Sequence, residues 1–119
     1  MINQIEVPMY LEEEIPELSA ALRQSNKFLN VYQAMNVFLE YTCKKIKEHN
    51  ITIVKKCFLL AEMLYDKGNN IVKNAVENVF VFSFSHLPCK DRKETAVIMG
   101  LIPGSLYTLY MHQLIKTSI

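Results

Sequence analysis

Apolar residues recur at steps of three and four along most of this chain, and that spacing predicts helices rather than strands. The clearest case runs from Asn30 to about Asn50. Asn30 is a typical N-cap residue, and Gln33 three positions later would complete a capping box. We expect the buried stripe of this helix to be formed by Val31, Met35, Phe38, Leu39, Thr42 and Ile46.

The segment from Lys56 to Leu87 predicts two apolar helices joined by a tight corner. We expect Thr52 to cap the first of these helices at its start. Gly68 should end it in the left-handed conformation, which glycine adopts without strain. Asn69 or Asn70 would then cap the second helix, so the segment forms one helical hairpin.

The second helix of this hairpin is apolar on nearly all sides, which is typical of a helix buried on several sides. Residues 79–87 are rich in β-forming side chains. We expect them to remain helical because the helical spacing continues into them without a turn signal. This helix should therefore be central, with three side chains fully buried: Val76, Val79 and Phe80.

The remaining elements are also predicted to be helical. Residues 8–24 indicate two short helices separated by a step at Pro16, which cannot donate a backbone hydrogen bond. Asp91 and Glu94 have the spacing of another capping box, and Pro103 should open the last helix. We therefore predict an all-α fold: one domain over residues 1–119, built as a compact bundle of about six short helices around the central hairpin.

Charge and hydropathy argue against nucleic-acid binding, a signal peptide and a membrane span. The formal net charge is +1, so no strong overall field would attract nucleic acid. The first residues lack the basic region and apolar run of a signal peptide. Thr95 to Ile115 contains no charged residue and is long enough to span a bilayer. Pro103 and Gly104 interrupt it, so we expect two short buried helices there and no membrane span.

The cysteines and histidines do not indicate a catalytic or metal site. Cys43, Cys57 and Cys89 are odd in number and widely spaced, which argues against a disulfide framework or a zinc site and favours the reducing cytoplasm. The three histidines fall on different elements, outside any metal-binding motif. Lysines beside Cys43 could lower its pKa, but an ordinary half-buried thiol is the simpler interpretation. We expect no enzyme activity, cofactor or metal.

A group of lysines flanks the corner between the second and third predicted helices. The group could contact an anion or nucleic acid, but neither arginine nor an aromatic residue accompanies it, so solubility is the simpler explanation. Its members are Lys44, Lys45, Lys47, Lys55 and Lys56.

Three stretches of the chain carry a family resemblance: LEEEIPEL, LAEMLYDKGNNIVKNAVENVF and MGLIPGSLYTLY. Together they resemble a large group of small helical bacterial proteins. In that group an acidic helix ends in Ile-Pro-Glu-Leu, a HEAT-like hairpin follows, and a Gly-then-Pro corner opens the last helix. Members often act as immunity proteins beside secreted polymorphic toxins, including those of contact-dependent growth inhibition systems.

The resemblance implies a cytoplasmic protein that binds and neutralises a cognate toxin domain by protein–protein contact. The alternative is a small helical adaptor or nucleic-acid-associated protein that uses the lysines between Lys44 and Lys56. For the first function we expect charged rims and aromatic anchors to make the contact. The candidate partner-binding residues are Tyr10, Glu12, Glu13, Glu17, Tyr65, Asp66, Lys73 and Glu77.

Overall fold

The computed structural model describes residues 1–25 and 27–117, so the predicted domain 1–119 extends at its end beyond the described residues. Within the described part, helices supply nearly all of the regular structure, and the predicted all-α class is confirmed. The α-helices are α1 (Val7–Glu14), α2 (Ser19–Leu22), α3 (Val31–Lys47), α4 (Ile51–Lys67), α5 (Asn70–Ala75), α6 (Arg92–Gly100) and α7 (Gly104–Thr117).

A small β-hairpin corrects the prediction that every element is helical. Helix α2 ends at Leu22, and two short antiparallel strands follow, β1 (Arg23–Gln24) and β2 (Lys27–Phe28). Ser25 in the turn has a φ of 51°, the left-handed conformation that tight hairpin turns require. The Arg23 guanidinium lies 4.2 Å from the centre of the Phe28 ring, and this contact stabilises the paired strands.

The predicted hairpin is formed by α4 and by a helical segment that runs from α5 to His86. The Asn69 side chain caps α5 by accepting a hydrogen bond from the Val72 N–H at 3.0 Å. Beyond α5 the helix is irregular, with a π-helical turn over Val76–Phe80 and a 3₁₀ segment over Val81–His86. The β-forming run is therefore helical as expected, but its backbone departs from the regular α-helical ladder.

Gly68 is not left-handed, so its predicted role was wrong. Its φ is −78° and its ψ is 156°. A β-carbon at this position would lie 2.5 Å from both the Leu64 carbonyl oxygen and Val72 Cγ1. The chain near Ile2 also pairs with this corner: the Ile2 N–H donates to the Lys67 oxygen at 2.7 Å. Glycine is needed here because neighbouring atoms approach closely.

The start of α4 also differs from the prediction. Helix α3 ends at Lys47, and His49 follows with a left-handed φ of 60°. The Asn50 side chain then accepts a hydrogen bond from the Ile53 N–H at 3.3 Å and caps α4. Thr52, predicted to be the cap, lies inside the helix because the left-handed turn ends earlier than expected.

Stacked aromatic rings hold the hairpin against α3. Phe80 stacks on Phe38 with ring centres 4.9 Å apart, and Phe58 meets Phe80 edge-on at 6.1 Å. Val76 and Phe80 are fully buried, as predicted. Val79 is only partly buried, so that prediction was wrong. The π-helical turn holds more residues per turn than an α-helix, and this changes the side that Val79 faces.

The uncharged segment near the end of the chain divides into two helices, as expected, but the helices are less buried than expected: Val97 on α6 is 51% exposed and Tyr107 on α7 is 44% exposed. Helix α6 ends at Gly100, and α7 begins at Gly104, after Pro103. Leu106 and Tyr110 bury this last helix against the core. Among the described helices, none is long and apolar enough to cross a bilayer.

Candidate functional site

The acidic candidate residues lie on and just after α1, and two of the three are held by internal contacts. The Arg23 side chain donates two hydrogen bonds to the Glu12 carboxylate, from Nε at 3.0 Å and from Nη2 at 3.1 Å. This hydrogen bonding lowers the pKa of Glu12 despite partial desolvation. The Tyr41 hydroxyl donates to Glu17 at 3.0 Å. Glu13 is exposed and makes no internal hydrogen bond or ion pair within the described residues, so it is the one available to a partner.

The candidate residues on the hairpin likewise include some that internal contacts hold in place and one that is exposed. The Lys73 ammonium group donates to the Tyr65 carbonyl oxygen at 2.7 Å and lies 4.6 Å from the centre of the Tyr65 ring. These two side chains therefore stabilise the hairpin corner. Glu77 is half-buried, and its carbonyl oxygen accepts a hydrogen bond from Gln113 at 2.9 Å. Asp66 is exposed, and no hydrogen bond ties its carboxylate within the described residues.

Tyr10 and Asp66 lie on different helices but line one open cleft of about 610 Å³. Tyr10 is half-buried on α1, and Asp66 is exposed in the last turn of α4. A partly buried phenol beside an exposed carboxylate is a common arrangement at protein interfaces, where the ring supplies contact area and the charge selects the partner. The full lining is Met1, Ile2, Glu6, Tyr10, Met63, Asp66 and Lys67.

The lysine group is less available for an anionic ligand than its sequence indicates. Lys45 forms an ion pair with Glu48 at 3.1 Å, and its ammonium group lies 5.2 Å from the centre of the Tyr41 ring. The Lys56 ammonium group donates to the Glu14 carbonyl oxygen at 2.9 Å. Two of the five lysines therefore already make internal contacts.

The cysteines have the properties of ordinary thiols, with Cys57 buried and Cys43 and Cys89 partly buried. Cys43, Cys57 and Cys89 are all free. Burial raises the pKa of each of them, and at Cys43 this outweighs the opposite effect of Lys47. A raised pKa leaves little thiolate at neutral pH, and the thiolate is the reactive form. The described residues contain no group of three or more His, Cys, Asp or Glu side chains that could hold a metal ion.

One polar contact was not expected from the sequence. His49, in the corner between α3 and α4, places Nδ1 2.6 Å from a carboxylate oxygen of Glu94 on α6. Burial disfavours the charged form of Glu94, but hydrogen bonds from the Lys90 N–H and from His49 outweigh it and lower its pKa. The Asp91 side chain caps α6 through the Glu94 N–H at 2.8 Å. The capping box is therefore only half formed, because the Glu94 carboxylate binds elsewhere.

These features define a small helical domain with a central hairpin, an open cleft between two helices, and charged side chains around the cleft. The chain belongs to the family described as a domain of unknown function, DUF7674, whose profile matches residues 8–116. No curated protein and no solved structure matches the chain.

Proposed function

We propose that this chain is a binding protein of the immunity type, which acts in the cytoplasm by covering a cognate toxin domain. It would perform no chemistry of its own. The toxin assignment rests on the resemblance of its LEEEIPEL, hairpin and Gly-then-Pro segments to immunity proteins. The binding mode rests on contacts within the fold.

The observation that carries the binding mode is the cleft shared by Tyr10 and Asp66. Both residues were chosen from the sequence as partner contacts, one as an aromatic anchor and one as part of a charged rim. An anchor that fills a partner's pocket beside a charge that steers association is the arrangement found at many binding hot spots. Glu13 supplies a further exposed charge on α1.

The alternative, an adaptor that binds nucleic acid through the lysine corner, has less support. Nucleic-acid affinity grows with the number of cations free to neutralise phosphates. Lys45 and Lys56 already contact Glu48 and the Glu14 carbonyl oxygen.

Co-purification with the toxin domain encoded beside this gene tests the proposal. Tagged wild-type protein should retain that domain through size-exclusion chromatography. Asp66→Lys and Glu13→Lys should each weaken the complex without lowering the melting temperature, because neither carboxylate has a hydrogen-bond or ion-pair partner among the described residues. Glu40→Lys is the matched control, since Glu40 is also exposed but lies on α3 and does not line the cleft.

Failure of the wild type to retain the toxin domain would overturn the immunity proposal. A different result would be equally strong retention of the toxin domain by all three variants, Glu13→Lys, Asp66→Lys and Glu40→Lys. That result would leave the immunity function standing and show that this binding surface is wrong. Retention of RNA or DNA in place of the protein, lost at moderate salt, would support the adaptor.

A further inference from the structure

The fold brings the start of α6 to the lysines of the α3–α4 corner. His49, in that corner, places Nδ1 2.6 Å from a carboxylate oxygen of Glu94 on α6. Ile51, at the start of α4, lines an open hollow together with residues of α6. We call residues 44–56 and 90–94 together the basic corner. Beside the five lysines already described, it contains Lys90, Arg92 and Lys93.

The basic corner carries most of the positive charge of the chain. It contains eight of the thirteen lysines and arginines but three of the twelve aspartates and glutamates, so its formal charge is +5. The net charge is +1, so the side chains of all other residues together carry −4. Glu14 and Glu17 border the corner, beside Lys56 and Tyr41, and the corner counted with both of them still carries +3. An acidic partner is therefore attracted to this end of the molecule.

The carboxylates of the basic corner are occupied by internal contacts. Glu48 forms its ion pair with Lys45 at 3.1 Å. Asp91 accepts the Glu94 N–H at 2.8 Å, and the Glu94 carboxylate accepts the Lys90 N–H at 3.1 Å besides its contact with His49. Six cations of the corner are exposed and have neither an ion pair nor a side-chain hydrogen bond among the described residues. They are Lys44, Lys47, Lys55, Lys90, Arg92 and Lys93.

The hollow between α4 and α6 adds an apolar contact to this charged surface. Ile51 and the exposed Val97 line it together with Lys90 and Lys93. Its volume is about 260 Å³, which exceeds the roughly 150 Å³ of a cavity that holds a benzene ring. A partner with one large apolar side chain between acidic residues therefore matches both the hollow and the lysines around it.

The composition of the basic corner favours an acidic protein segment over nucleic acid. Single-stranded nucleic acid is bound by stacking on aromatic side chains, and residues 44–56 and 90–94 include no phenylalanine, tyrosine or tryptophan. Arginine makes the bidentate contacts to phosphates and base edges, and Arg92 is the one arginine of the corner. The exposed carboxylates of Glu48 and Asp91 would repel a continuous phosphate backbone, whereas a protein segment can place its few carboxylates between them.

We propose that the basic corner binds an acidic segment of a protein partner, with one large apolar side chain of that segment in the hollow between Ile51 and Val97. The corner includes the start of α4, whereas the Tyr10–Asp66 cleft lies at the end of that helix. The inference therefore goes beyond the proposed function and adds a second binding surface to the chain.

Two short acidic peptides test the inference against the whole chain. One carries glutamates on both sides of a central leucine, and the other has serine in place of that leucine. Fluorescence anisotropy should show the leucine peptide binding about fivefold or more tightly than the serine peptide. Its binding should weaken as salt is added. A single-stranded RNA oligonucleotide of the same net charge should bind more weakly than the leucine peptide.

Charge exchange at matched positions tests the location of the surface. The double change Lys47→Glu and Lys93→Glu should weaken binding of the leucine peptide about tenfold or more. Lys27→Glu with Lys116→Glu is the control, because both lysines are exposed and lie outside the corner. The two double variants have the same net charge, so a difference between them measures the local effect of the corner. Denaturation curves establish that each variant is folded.

A second pair of variants tests the hollow. Val97→Ser should remove the preference for the leucine peptide, because it takes away the exposed part of the apolar lining. Ile71→Ser is the control, since Ile71 is also exposed but lies on α5 and does not line the hollow.

Three results would overturn the proposal: no binding of the leucine peptide, equal losses in the two double-charge variants, or binding of the RNA at least as tight as that of the leucine peptide. The last result would make the corner a nucleic-acid surface. Equal binding of the two peptides to the wild type would show that the hollow holds no apolar side chain and would also overturn it. Failure of the toxin domain to bind refutes the proposed function alone, because the peptides are measured without it.

Discussion

His49 Nδ1 lies 2.6 Å from a carboxylate oxygen of Glu94, and this contact joins the α3–α4 corner to α6. The His49 backbone is left-handed, with a φ of 60°, and this conformation places the ring beside α6. Glu94 is nearly buried and also accepts the Lys90 N–H at 3.1 Å. The contact therefore connects two parts of the chain that are 45 residues apart.

This contact predicts acid sensitivity. The pKa of Glu94 is lowered in the folded chain, so its carboxylate contributes stability that is complete above the unfolded pKa. That stability is lost as the pH falls from the ordinary range of a glutamate through the lowered folded pKa. Glu94→Gln should lower the melting temperature at neutral pH and flatten its fall in acid. Glu13→Gln, at an exposed position, is the control. Equal slopes for Glu94→Gln and wild type would contradict this account.

The cap of α4 gives a second prediction. Asn50→Ala should reduce the free energy of unfolding by about 0.5–2 kcal/mol, because the Ile53 N–H loses its acceptor. Thr52→Ala should have little effect or stabilise slightly, since Thr52 is exposed and alanine favours helix. Urea denaturation of both variants decides between the two residues. A larger loss of unfolding free energy for Thr52→Ala would show that Thr52, the residue expected from the sequence, caps α4.

Gly68 and Gly100 form a matched pair, because their surroundings differ in how closely other atoms approach. Gly68→Ala should destabilise by about 1–3 kcal/mol, because the added methyl group overlaps the Leu64 oxygen and Val72. Gly100→Ala adds the same group where no atom lies within 4 Å. Its free energy of unfolding should be unchanged or raised by up to about 1 kcal/mol. Chemical denaturation measures both, and a Gly68→Ala variant as stable as wild type would refute the close-approach explanation.

The aromatic core supplies a fourth test. Phe80→Ala should cost about 3–5 kcal/mol, because Phe80 is fully buried against Phe38, Phe58 and Phe84. Phe82→Ala should cost less than about 1 kcal/mol, since Phe82 is 59% exposed. Guanidinium denaturation followed by circular dichroism measures both. Similar losses for the two variants would show that the packing described for this helix is wrong.

Most features determined by neighbouring residues were predictable from the sequence, with the Asn50 cap of α4 as an exception, whereas contacts between distant parts of the chain were not. The Asn30–Gln33 capping box is present as expected, with the Asn30 side chain accepting the Gln33 N–H at 2.9 Å, because all of its atoms lie within one turn. Gly68 shows the opposite case. Its bridge to Ile2 joins two parts of the chain that are far apart in sequence, which local turn signals cannot indicate.

The candidate site shows the same division. The residue types expected at a partner interface could be chosen from the sequence, and Tyr10 and Asp66 line one cleft. The internal partners of Glu12 and Lys73 could not be foreseen. Arg23 reaches Glu12 only because the chain turns back through the β-hairpin, and Lys73 reaches Tyr65 only across the Gly68 corner. Contacts between distant parts of the chain therefore determine which of the predicted interface charges remain available to a partner.

We propose that this chain neutralises a toxin by binding it, and a titration is the sharpest test of that proposal. Purified toxin domain from the neighbouring gene is titrated with the chain while its toxic activity and the formation of the complex are measured together. We expect toxic activity to disappear at the same stoichiometric point at which the complex saturates, with Glu40→Lys behaving as wild type. Toxic activity that persists in the presence of excess chain, or that disappears without a complex, would contradict it.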